Sequence, residues 1–534
     1  MARQKIINLI EKSIKEAQKK KNLAKFKIPE IKIECPEERA YGDYATNTAM
    51  VVSKQSKKNP MEIANILSSE LKDSGANFFE KIEVVKPGFI NFFLSKEYLQ
   101  KKVGEILKEK EKFGQLKFGR GKKINIEFIS ANPTGSLHLG NGRGAFFGDA
   151  LSNVLEKAGF TITREYYVND AKTNSQIKTL GKTALGRGIT YLTPCLESKI
   201  SSLKNKLKEI KDEQEAGFLL AKLVQKDIKD FIEKKLKIKF NNWVSEQDFY
   251  EKNKVDKIYN FLKKKNLIYK KEGAEWVKTS NFGDEKNRVA IRETGQATYL
   301  LSDIAYHKDK FDRGFQKIIN IWGADHQGHV LKMKAVKKIL GFKGDLEILI
   351  CQMVRLKKGK ISKRKGEIIT LEWLIDEVGL DAARFFYLMK SLKTQMEFDV
   401  QLAKERSEKS PVFYVQYAHA RICSILRKLK MKDKKLKTET KNLKLLNHQS
   451  ELKLIKELNK FPEIIEDTAK DYQIQRLPQY AVNLAACFHQ FYRNCRVLTK
   501  DKNLKEVRLS LALATKTVLK NTLDLMGVAA PEKM

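Results

Sequence analysis

The sequence predicts a multidomain α/β protein built around a doubly wound parallel sheet. Strand-like and helix-like patterns alternate between about residues 120 and 390, which is typical of such a sheet, whereas residues 396–534 show helical spacing without clear strands. The chain is also 534 residues long, which is too long for one ordinary core. We therefore predict an N-terminal α+β domain at residues 1–110, a central domain at 111–395 and an all-α helical bundle at 396–534.

The charge balance favours a polyanionic partner. The chain holds 104 Lys and Arg residues against 65 Asp and Glu residues, which gives a formal net charge of +39. Neutralising phosphates releases counterions, so such an excess favours nucleic acid binding. A general lysine bias, with the charges only solvated, is the alternative that composition leaves open.

Cysteine usage and hydropathy argue against two further classes of protein. The six cysteines are scattered without a C-x-x-C pair, so we expect no zinc site. Sparse thiols suit a reducing compartment, and we expect a cytoplasmic location. No run of about 18 apolar residues occurs, so we expect no membrane span.

The N-terminal 110 residues begin with a helix, because isoleucines recur at helical spacing from Ile6 to Ile14. A strand is predicted at residues 27–34, and two paired strands are predicted at 79–85 and 88–94. These elements indicate an α+β module.

The most informative stretch runs from Phe128 to Ala145. It follows a predicted strand, passes through the turn Asn132-Pro-Thr-Gly135 and enters a glycine-rich helix start. A helix start presents unpaired N–H groups that suit a phosphate, glycines let a nucleotide approach the backbone, and His138 adds a donor. The spacing Gly140-x-Gly-x-Gly144 is only loosely like a dinucleotide-binding loop, whose pattern is G-x-G-x-x-G.

The string Ser130-Ala-Asn-Pro-Thr-Gly-Ser-Leu-His-Leu-Gly140 resembles instead the HIGH signature of class I aminoacyl-tRNA synthetases, in the form found in arginyl-tRNA synthetases. Asn141 stands where that signature usually ends in His. The resemblance implies a Rossmann-like catalytic domain and a catalytic role for His138. It also implies ATP contacts from Gly135, Leu137, His138, Gly140 and Asn141, and contacts to the backbone groups of the amino acid from Glu127, Ser130 and Asn132.

Acidic residues further along the chain fit the same substrate. A guanidinium needs carboxylate or carbonyl acceptors in planar geometry. Tyr299 and Asp303 are four residues apart and share one face of any helix that begins there. They resemble the Tyr-x-x-x-Asp of arginyl-tRNA synthetases, and Glu246 is similar to a third residue of the arginine pocket. A helix N-terminal charge is the alternative for Asp303, and a structural role is the alternative for Glu246.

A second nucleotide-facing segment follows the predicted strand at residues 318–322. The string from Gly323 to His329 resembles the class I segment that holds the ATP ribose and base, which implies ATP contacts from Gly323, Asp325 and His326. A metal cluster of Asp325, His326 and His329 is the alternative, but its spacing does not match a closed zinc site.

The basic segment Lys360-Ile361-Ser362-Lys363 resembles the KMSK signature of class I synthetases, with Ile in place of Met. The resemblance implies that Lys360 and Lys363 act on the β- and γ-phosphates and that Ser362 contacts ATP. Taken alone, the segment is a basic loop, and most such loops are only solvated.

Residues 411–426 predict a long amphipathic helix, which resembles the entry to the anticodon-binding domain of the arginyl group. Its aromatic and basic side chains suit stacking on single-stranded bases. Half of these side chains must be core, and the sequence leaves open which half. The residues that we predict to contact tRNA are Tyr414, Gln416, Tyr417 and Arg421. A lysine-rich helical insertion is predicted near residues 190–240.

These resemblances imply an arginyl-tRNA synthetase whose partners are tRNA(Arg) and L-arginine. They imply ATP with its associated Mg²⁺ and a monomer, and the cysteine pattern adds the expectation of no zinc. The strings Gly42-Asp-Tyr-Ala-Thr-Asn47 and Pro87-Gly-Phe-Ile-Asn91 are similar to the N-terminal additional domain of arginyl-tRNA synthetases, which implies contact with the tRNA elbow. A class I synthetase for another amino acid is one alternative, which the acidic residues disfavour. A non-catalytic tRNA-binding paralogue is the other, and only Asn141 and Ile361 favour it.

Overall fold

The computed structural model describes residues 1–75, 77–357, 369–429 and 440–534. Lys360, Ser362 and Lys363 lie outside the described residues, so their predicted roles rest on the resemblance alone. In the part of the chain that is described, no helix combines the length and the hydropathy that a membrane span requires.

The N-terminal region is α+β, as the sequence predicts. The strand predicted at residues 27–34 does not form within that described stretch, where Glu34 makes a single bridge to Ala45. Pro29 gives the physical reason, because proline cannot donate to a strand ladder. The elements of this region are α1 (Ala2–Lys19), β1 (Tyr44–Thr46), α2 (Thr48–Ser56), α3 (Pro60–Ser74), β2 (Phe79–Val85), β3 (Phe89–Leu94) and α4 (Lys96–Glu109). The three strands are antiparallel, in the order β1-β3-β2.

The central region alternates strands and helices. Its strands are β4 (Lys123–Glu127), β5 (Thr161–Val168), β6 (Asn242–Ser245), β7 (Ile268–Lys271), β8 (Ala274–Val277), β9 (Arg288–Ile291), β10 (Lys317–Gly323), β11 (Asp345–Cys351), β12 (Val354–Leu356) and β13 (Met396–Phe398). Its helices are α5 (Leu139–Lys157), α6 (Ser175–Ala184), α7 (Pro194–Ser202), α8 (Lys204–Lys208), α9 (Glu213–Asp230), α10 (Gln247–Glu251), α11 (Lys254–Lys264), α12 (Tyr299–Asp312), α13 (Val330–Ile339), α14 (Leu371–Val378), α15 (Leu380–Leu388) and α16 (Val400–Lys404).

Five of these strands form one parallel sheet in the order β11-β10-β4-β5-β6, which confirms the predicted doubly wound fold. The chain runs outward from β4 through β5 to β6 and then returns to β10 and β11, so the strand order reverses beside β4. Ligands of such sheets bind outside the carboxyl ends of the strands at this reversal. The loops after β4 and β10 therefore lie at the expected cleft. The helices α7, α8 and α9 lie in the segment predicted as a helical insertion.

The C-terminal region is helical, and its described residues from 411 onward form no strand. The region predicted as all-α at 396–534 nevertheless opens with the short strand β13, which pairs in parallel with β12 of the central region. Its helices are α17 (Pro411–Lys428), α18 (Gln449–Asn459), α19 (Phe461–Asp471), α20 (Arg476–Asn494) and α21 (Lys502–Met526). One hydrophobic core contains residues of all three regions, from Ala2 to Val528. The exact domain boundaries therefore stay predictions.

A buried arginine fastens the C-terminal region to the glycine-rich helix α5. Arg384 of α15 is 1% exposed. Its guanidinium donates to Asp149 Oδ2 of α5 at 2.6 Å, to the carbonyl of Leu236 at 2.7 Å and to the carbonyl of Met526 at 3.2 Å. Gly527 must be glycine, because its φ is +66° and an added Cβ would lie 2.1 Å from Arg384 Nη1. The far end of α21 thus helps to hold α5 in place.

Candidate active site

The loop after β4 adopts a strained backbone. Ile129 and Ser130 have φ values of +69° and +40°, which are costly for residues other than glycine, and especially for a β-branched one. The strand β5 holds the loop in this shape: the Tyr167 N–H donates to Ser130 Oγ at 3.1 Å, and Asn169 Nδ2 donates to the Ser130 carbonyl at 2.9 Å. The predicted amino-acid contact Ser130 is therefore fixed by its own backbone and by β5, and Asn132 lies exposed two residues later.

His138 is the N-cap of α5 and takes part in a reciprocal capping box. The Gly140 N–H donates to His138 Nδ1 at 3.0 Å, and the His138 N–H donates to Asn141 Oδ1 at 2.9 Å. Because Nδ1 accepts a hydrogen bond, the proton of the neutral ring is on Nε2. Loss of hydration lowers the pKa of His138, although the nearby Asp325 opposes this shift. The ring is thus a neutral Nε2–H donor at a helix N-terminus, where an anion is favoured.

Backbone hydrogen bonds with residues 369–371 also hold this loop. The Leu139 N–H donates to the Ile369 carbonyl at 3.2 Å, and the Leu371 N–H donates to the Leu137 carbonyl at 2.8 Å. The buried Tyr387 hydroxyl donates to the Leu139 carbonyl at 2.8 Å. Residues 369–371 lie a short distance along the chain after the segment that resembles KMSK. Backbone hydrogen bonds therefore join the HIGH-like loop to the described residues beyond that segment, a relationship that the sequence analysis missed because nothing in either motif indicates it.

The glycines of this segment serve two different purposes. No atom of the described residues outside the local backbone lies within 4 Å of a Cβ built on Gly135, and a Cβ on Gly140 would meet the ring of His138 at 2.8 Å. Gly142 instead faces the protein, since its added Cβ would lie 2.8 Å from Leu371 Cδ1. Gly144 is also buried. Gly135 therefore leaves open space for a nucleotide, whereas Gly140 and Gly142 make room for the neighbouring side chains of His138 and Leu371.

The Gly323–His329 segment lies at the carboxyl end of β10, beside β4. Gly323, Asp325 and His326 are all exposed there. His326 Nε2 lies 3.4 Å from Asp325 Oδ2, and the field of Asp325 reaches His138. The fold thus brings both predicted ATP-contacting segments to one edge of the sheet. Among the described residues, no group of three or more His, Cys, Asp or Glu side chains is arranged to hold a metal ion.

Tyr299 and Asp303 lie on one face of α12, which begins at Tyr299. The Ser175 N–H donates to the Tyr299 hydroxyl at 3.0 Å, so the phenol is tied to the start of α6. Lys332 Nζ donates to Asp303 Oδ2 at 2.9 Å. Asp303 is in the second turn of its helix and pairs with a distant residue, which argues against the alternative of a helix N-terminal charge.

Glu246 is the most unusual carboxylate in this pocket. It is 3% exposed. The Ser302 hydroxyl donates to its Oε1 at 2.8 Å, whereas its buried Oε2 has no hydrogen-bond partner among the residues that the structure describes. Burial first, and then the nearby Asp303 carboxylate, raise the pKa of Glu246 to about 7, against the hydrogen bond from Ser302. Buried polar atoms are normally satisfied, so an open carboxylate oxygen at this position favours a cationic ligand over a structural role.

Glu127, predicted to contact the amino acid, is held by a buried lysine. Lys310 Nζ donates to Glu127 Oε2 at 2.5 Å and to Asn320 Oδ1 at 3.0 Å. Both charged side chains are buried, and their pairing offsets the cost of removing them from water. The sequence analysis missed Lys310, because the two residues are 183 positions apart and share no motif.

The predicted RNA-contacting residues of α17 fall into two groups. Tyr417 accepts a hydrogen bond from Arg421 Nη2 at 2.6 Å, and the Tyr414 ring lies 4.7 Å from that of His489. These three predicted residues form an aromatic and basic surface. Gln416 is elsewhere: its Nε2 donates to Asp381 Oδ2 and to the Ala529 carbonyl, both at 2.9 Å. Gln416 therefore lies at a junction with α15 and not beside Tyr417 and Arg421.

Comparison with known proteins gives matches along the whole chain. The model of the arginyl-tRNA synthetase N-terminal domain matches residues 4–94, that of the class I tRNA synthetase (R) catalytic domain matches 102–179 and 197–458, and that of the DALR anticodon-binding domain matches 415–534. The arginine–tRNA ligase of Caldanaerobacter subterraneus subsp. tengcongensis is 42% identical over 559 residues, which cover 100% of this chain and 99% of the relative. That of Bacillus licheniformis is 41% identical over 558 residues, with 99% of each chain covered.

A solved structure agrees with the fold. The arginyl-tRNA synthetase of Thermus thermophilus superposes with a TM-score of 0.78 over 100% of both chains, at 22% sequence identity. The catalytic-domain model alone spans more than half of the chain. With full-length relatives above 40% identity as well, this chain belongs to the class I arginyl-tRNA synthetase (arginine–tRNA ligase) family.

Proposed function

We propose that this chain joins L-arginine to tRNA(Arg) by way of arginyl-adenylate, in the cleft above β4 and β10. The observation that carries the assignment of the pocket is the open, buried Oε2 of Glu246, close to the carboxylate of Asp303. Two acids beside the phenol of Tyr299 suit a planar cation. The wider family membership supports the reaction itself.

In the first step, the arginine carboxylate attacks the α-phosphate of ATP in line, and pyrophosphate leaves. Charge develops on the phosphate oxygens, so the step needs positioning and neutralisation more than covalent help. We assign these tasks to the Nε2–H of His138 and to the N-terminus of α5. The resemblance adds Lys360, Ser362 and Lys363 on the leaving pyrophosphate. Mg²⁺ enters as part of the ATP substrate and needs few protein ligands of its own.

Further ATP contacts are proposed at the two loops of the cleft. Gly135 of the first loop leaves room for the phosphates, and the exposed loop after β10 faces the ribose and base. The proposed ATP-contacting residues are Gly135, Leu137, His138, Gly140, Asn141, Gly323, Asp325, His326 and Ser362. Glu127, Ser130 and Asn132 remain the proposed neighbours of the backbone groups of arginine.

In the second step, the 2′-hydroxyl of the terminal adenosine attacks the acyl carbon, and AMP leaves. The proposed tRNA surface comprises Tyr414, Tyr417 and Arg421, whose rings and guanidinium suit stacking on bases of the anticodon loop. Residues 1–110 contact the tRNA elbow in this proposal, residues 111–395 carry out the chemistry, and residues 396–534 bind the anticodon. The protein works as a monomer in the cytoplasm and without zinc.

Arginine is selected over lysine by geometry. Glu246, Asp303 and Tyr299 offer acceptors at fixed positions, and a lysine ammonium cannot reach all of them. Each buried acceptor that stays unpaired costs roughly 1–3 kcal/mol, which disfavours the wrong substrate.

The experiment is aminoacylation of total tRNA with each of the twenty amino acids in the presence of ATP. Charging with arginine alone is the expected result. Charging with another amino acid would refute the pocket assignment. Binding of tRNA without any charging would overturn the enzymatic proposal in favour of a non-catalytic paralogue.

A further inference from the structure

The Tyr167 hydroxyl, like Glu246 Oε2, is a buried polar group without a hydrogen-bond partner among the described residues. The residue lies at the carboxyl end of β5, directly after Tyr166, and is 6% exposed. Its hydroxyl has no hydrogen-bond partner within the described residues. Leaving a buried hydroxyl unpaired costs free energy, and such groups usually mark a water or a ligand.

The surroundings of this hydroxyl are acidic. Burial raises the pKa of Tyr167 well above its usual value, and the nearby carboxylates of Glu246, Asp303 and Glu127 add to the shift. The first two belong to the proposed guanidinium pocket, and the third lies at the end of β4. Tyr306, on which the Tyr167 ring stacks, lies one turn after Asp303 on α12, so Tyr167 lies beside the helix that carries part of the proposed guanidinium pocket.

The backbone and the ring of Tyr167 fix the position of this hydroxyl. The Tyr167 N–H donates to Ser130 Oγ at 3.1 Å, which ties the residue to the strained loop after β4. The ring stacks on Tyr306 with centroids 4.1 Å apart and planes at 15°. Because the backbone and the ring are both held, the hydroxyl is in position before a substrate binds. Little conformational entropy is therefore lost on binding.

We infer that the Tyr167 hydroxyl is a further arginine-recognition group, which accepts a hydrogen bond from the substrate guanidinium. This inference rests on the proposed function and adds a residue to its pocket. A guanidinium has five N–H donors and no acceptor. Glu246 Oε1 and Asp303 Oδ2 already accept from Ser302 and Lys332, so the pocket has use for a further acceptor. Glu246 Oε2 and the Tyr167 hydroxyl can both accept from the same cation, and the two open atoms are then satisfied by one ligand.

The test is Tyr167→Phe, which removes one oxygen and keeps the ring stack. We expect KM and the equilibrium dissociation constant for arginine to rise about 10-fold, as the loss of a hydrogen bond to a charged group predicts. We expect kcat to stay within about threefold and the KM for ATP to be unchanged, because the hydroxyl is remote from the phosphates in this assignment. The Tm should stay level or rise, since the hydroxyl is unpaired in the empty protein.

Tyr306→Phe is the matched control on the other ring of the same stack. The Tyr306 hydroxyl donates to Glu165 Oε1 at 2.9 Å, in a buried ion-pair network with Arg313. Its loss should lower the Tm and leave the arginine constants unchanged. We therefore expect Tyr167→Phe to weaken arginine recognition without loss of stability. We expect Tyr306→Phe to lose stability without a change in arginine recognition.

Two results would overturn the inference. Unchanged arginine binding in Tyr167→Phe would mean that the hydroxyl does not contact the substrate. A lower Tm with equal rises in the KM for arginine and for ATP would mean a structural role. If the unmodified protein does not charge or bind arginine, it is the proposed function that fails, and this outcome is visible before any variant is compared.

Discussion

His138 and Asn141 hold each other at the start of α5 by two reciprocal hydrogen bonds. The imidazole Nδ1 accepts from the helix backbone at Gly140, and the Asn141 amide oxygen accepts from the His138 N–H. Asn141 therefore supports the helix cap, although the HIGH signature usually has His at this position. The cap also selects the tautomer of His138, because a ring that accepts at Nδ1 presents its proton at Nε2.

Replacing His138 should affect stability and catalysis separately. His138→Ala is expected to cost about 1 kcal/mol of unfolding free energy through the lost cap. It should also reduce adenylate formation by at least about 100-fold, because a donor to the developing phosphate charge disappears. His138→Asn restores a good cap without the Nε2 donor, so it should recover the stability and not the activity. Urea unfolding and single-turnover adenylation measure the two effects.

The chain contains its own control for this experiment. His448 caps α18 with the same geometry, since its Nδ1 accepts from the Ser450 N–H at 3.1 Å and its N–H donates to Glu451 Oε2 at 2.9 Å. His448→Ala should cost a similar amount of stability and leave adenylation unchanged. Equal losses of activity in the two alanine variants would contradict the role of His138 in the chemistry.

Arginine affinity should depend on pH through Glu246. Its pKa is raised to about 7 from the usual value of 4.5, by burial first and then by Asp303 and Asp170, against the hydrogen bond from Ser302. Only the ionised form attracts a guanidinium, so the KM for arginine should fall about 10-fold between pH 6 and pH 8.

The same pKa sets the direction of the stability change. Because the folded state holds this proton more tightly than the unfolded state, the contribution of Glu246 to stability is largest below about pH 4.5 and is lost as pH rises toward 7. Glu246→Gln removes the titration and should flatten the pH profile of the arginine KM while raising its value. A profile that keeps its slope in this variant would assign the titration to another group.

Asp303 and Lys332 allow recognition to be separated from packing. Asp303→Ala should raise the KM for arginine far more than that for ATP, because a pocket carboxylate is lost. It also leaves the buried Lys332 ammonium without this partner, which should cost roughly 1–3 kcal/mol of stability. The double variant Asp303→Ala with Lys332→Met should recover stability and keep the high arginine KM. Equal rises in both KM values would count against the guanidinium assignment.

The spacing of residues predicted some of this site well. Tyr299 and Asp303 were placed on one helix face because four-residue spacing has a fixed meaning once a helix begins. The turn and the glycines predicted a helix start just after His138, and the structure begins the helix at Leu139 with His138 as its N-cap. Lys310, Lys332 and Tyr167 were not predicted as parts of the site, because they reach it through tertiary contacts between distant segments. Backbone strain at Ile129 and an unpaired oxygen on Glu246 leave no mark in a sequence at all.

The helix α17 also shows what could not be predicted from the sequence alone. Its amphipathic pattern indicated that half of its polar and aromatic residues are core, without indicating which half. Gln416 lies at a junction because the segment after α21 folds back against it. The course of that segment depends on how all the helices of the bundle pack. His419 is buried for the same reason, with its Nδ1 at 2.9 Å from the Pro531 carbonyl.

Gln416 and Arg421 should therefore respond differently to substitution. Arg421→Ala removes a guanidinium that lies 5.2 Å from the Tyr417 ring centre and 5.4 Å from that of Tyr492, so tRNA affinity should fall about 10-fold and depend less on salt. Gln416→Ala breaks two hydrogen bonds at the junction and should cost about 1 kcal/mol of stability with tRNA affinity unchanged. Filter binding across a salt series and urea unfolding measure the pair. If Gln416→Ala instead weakens tRNA binding without loss of stability, Gln416 returns to the RNA surface and the division of α17 into two faces is wrong.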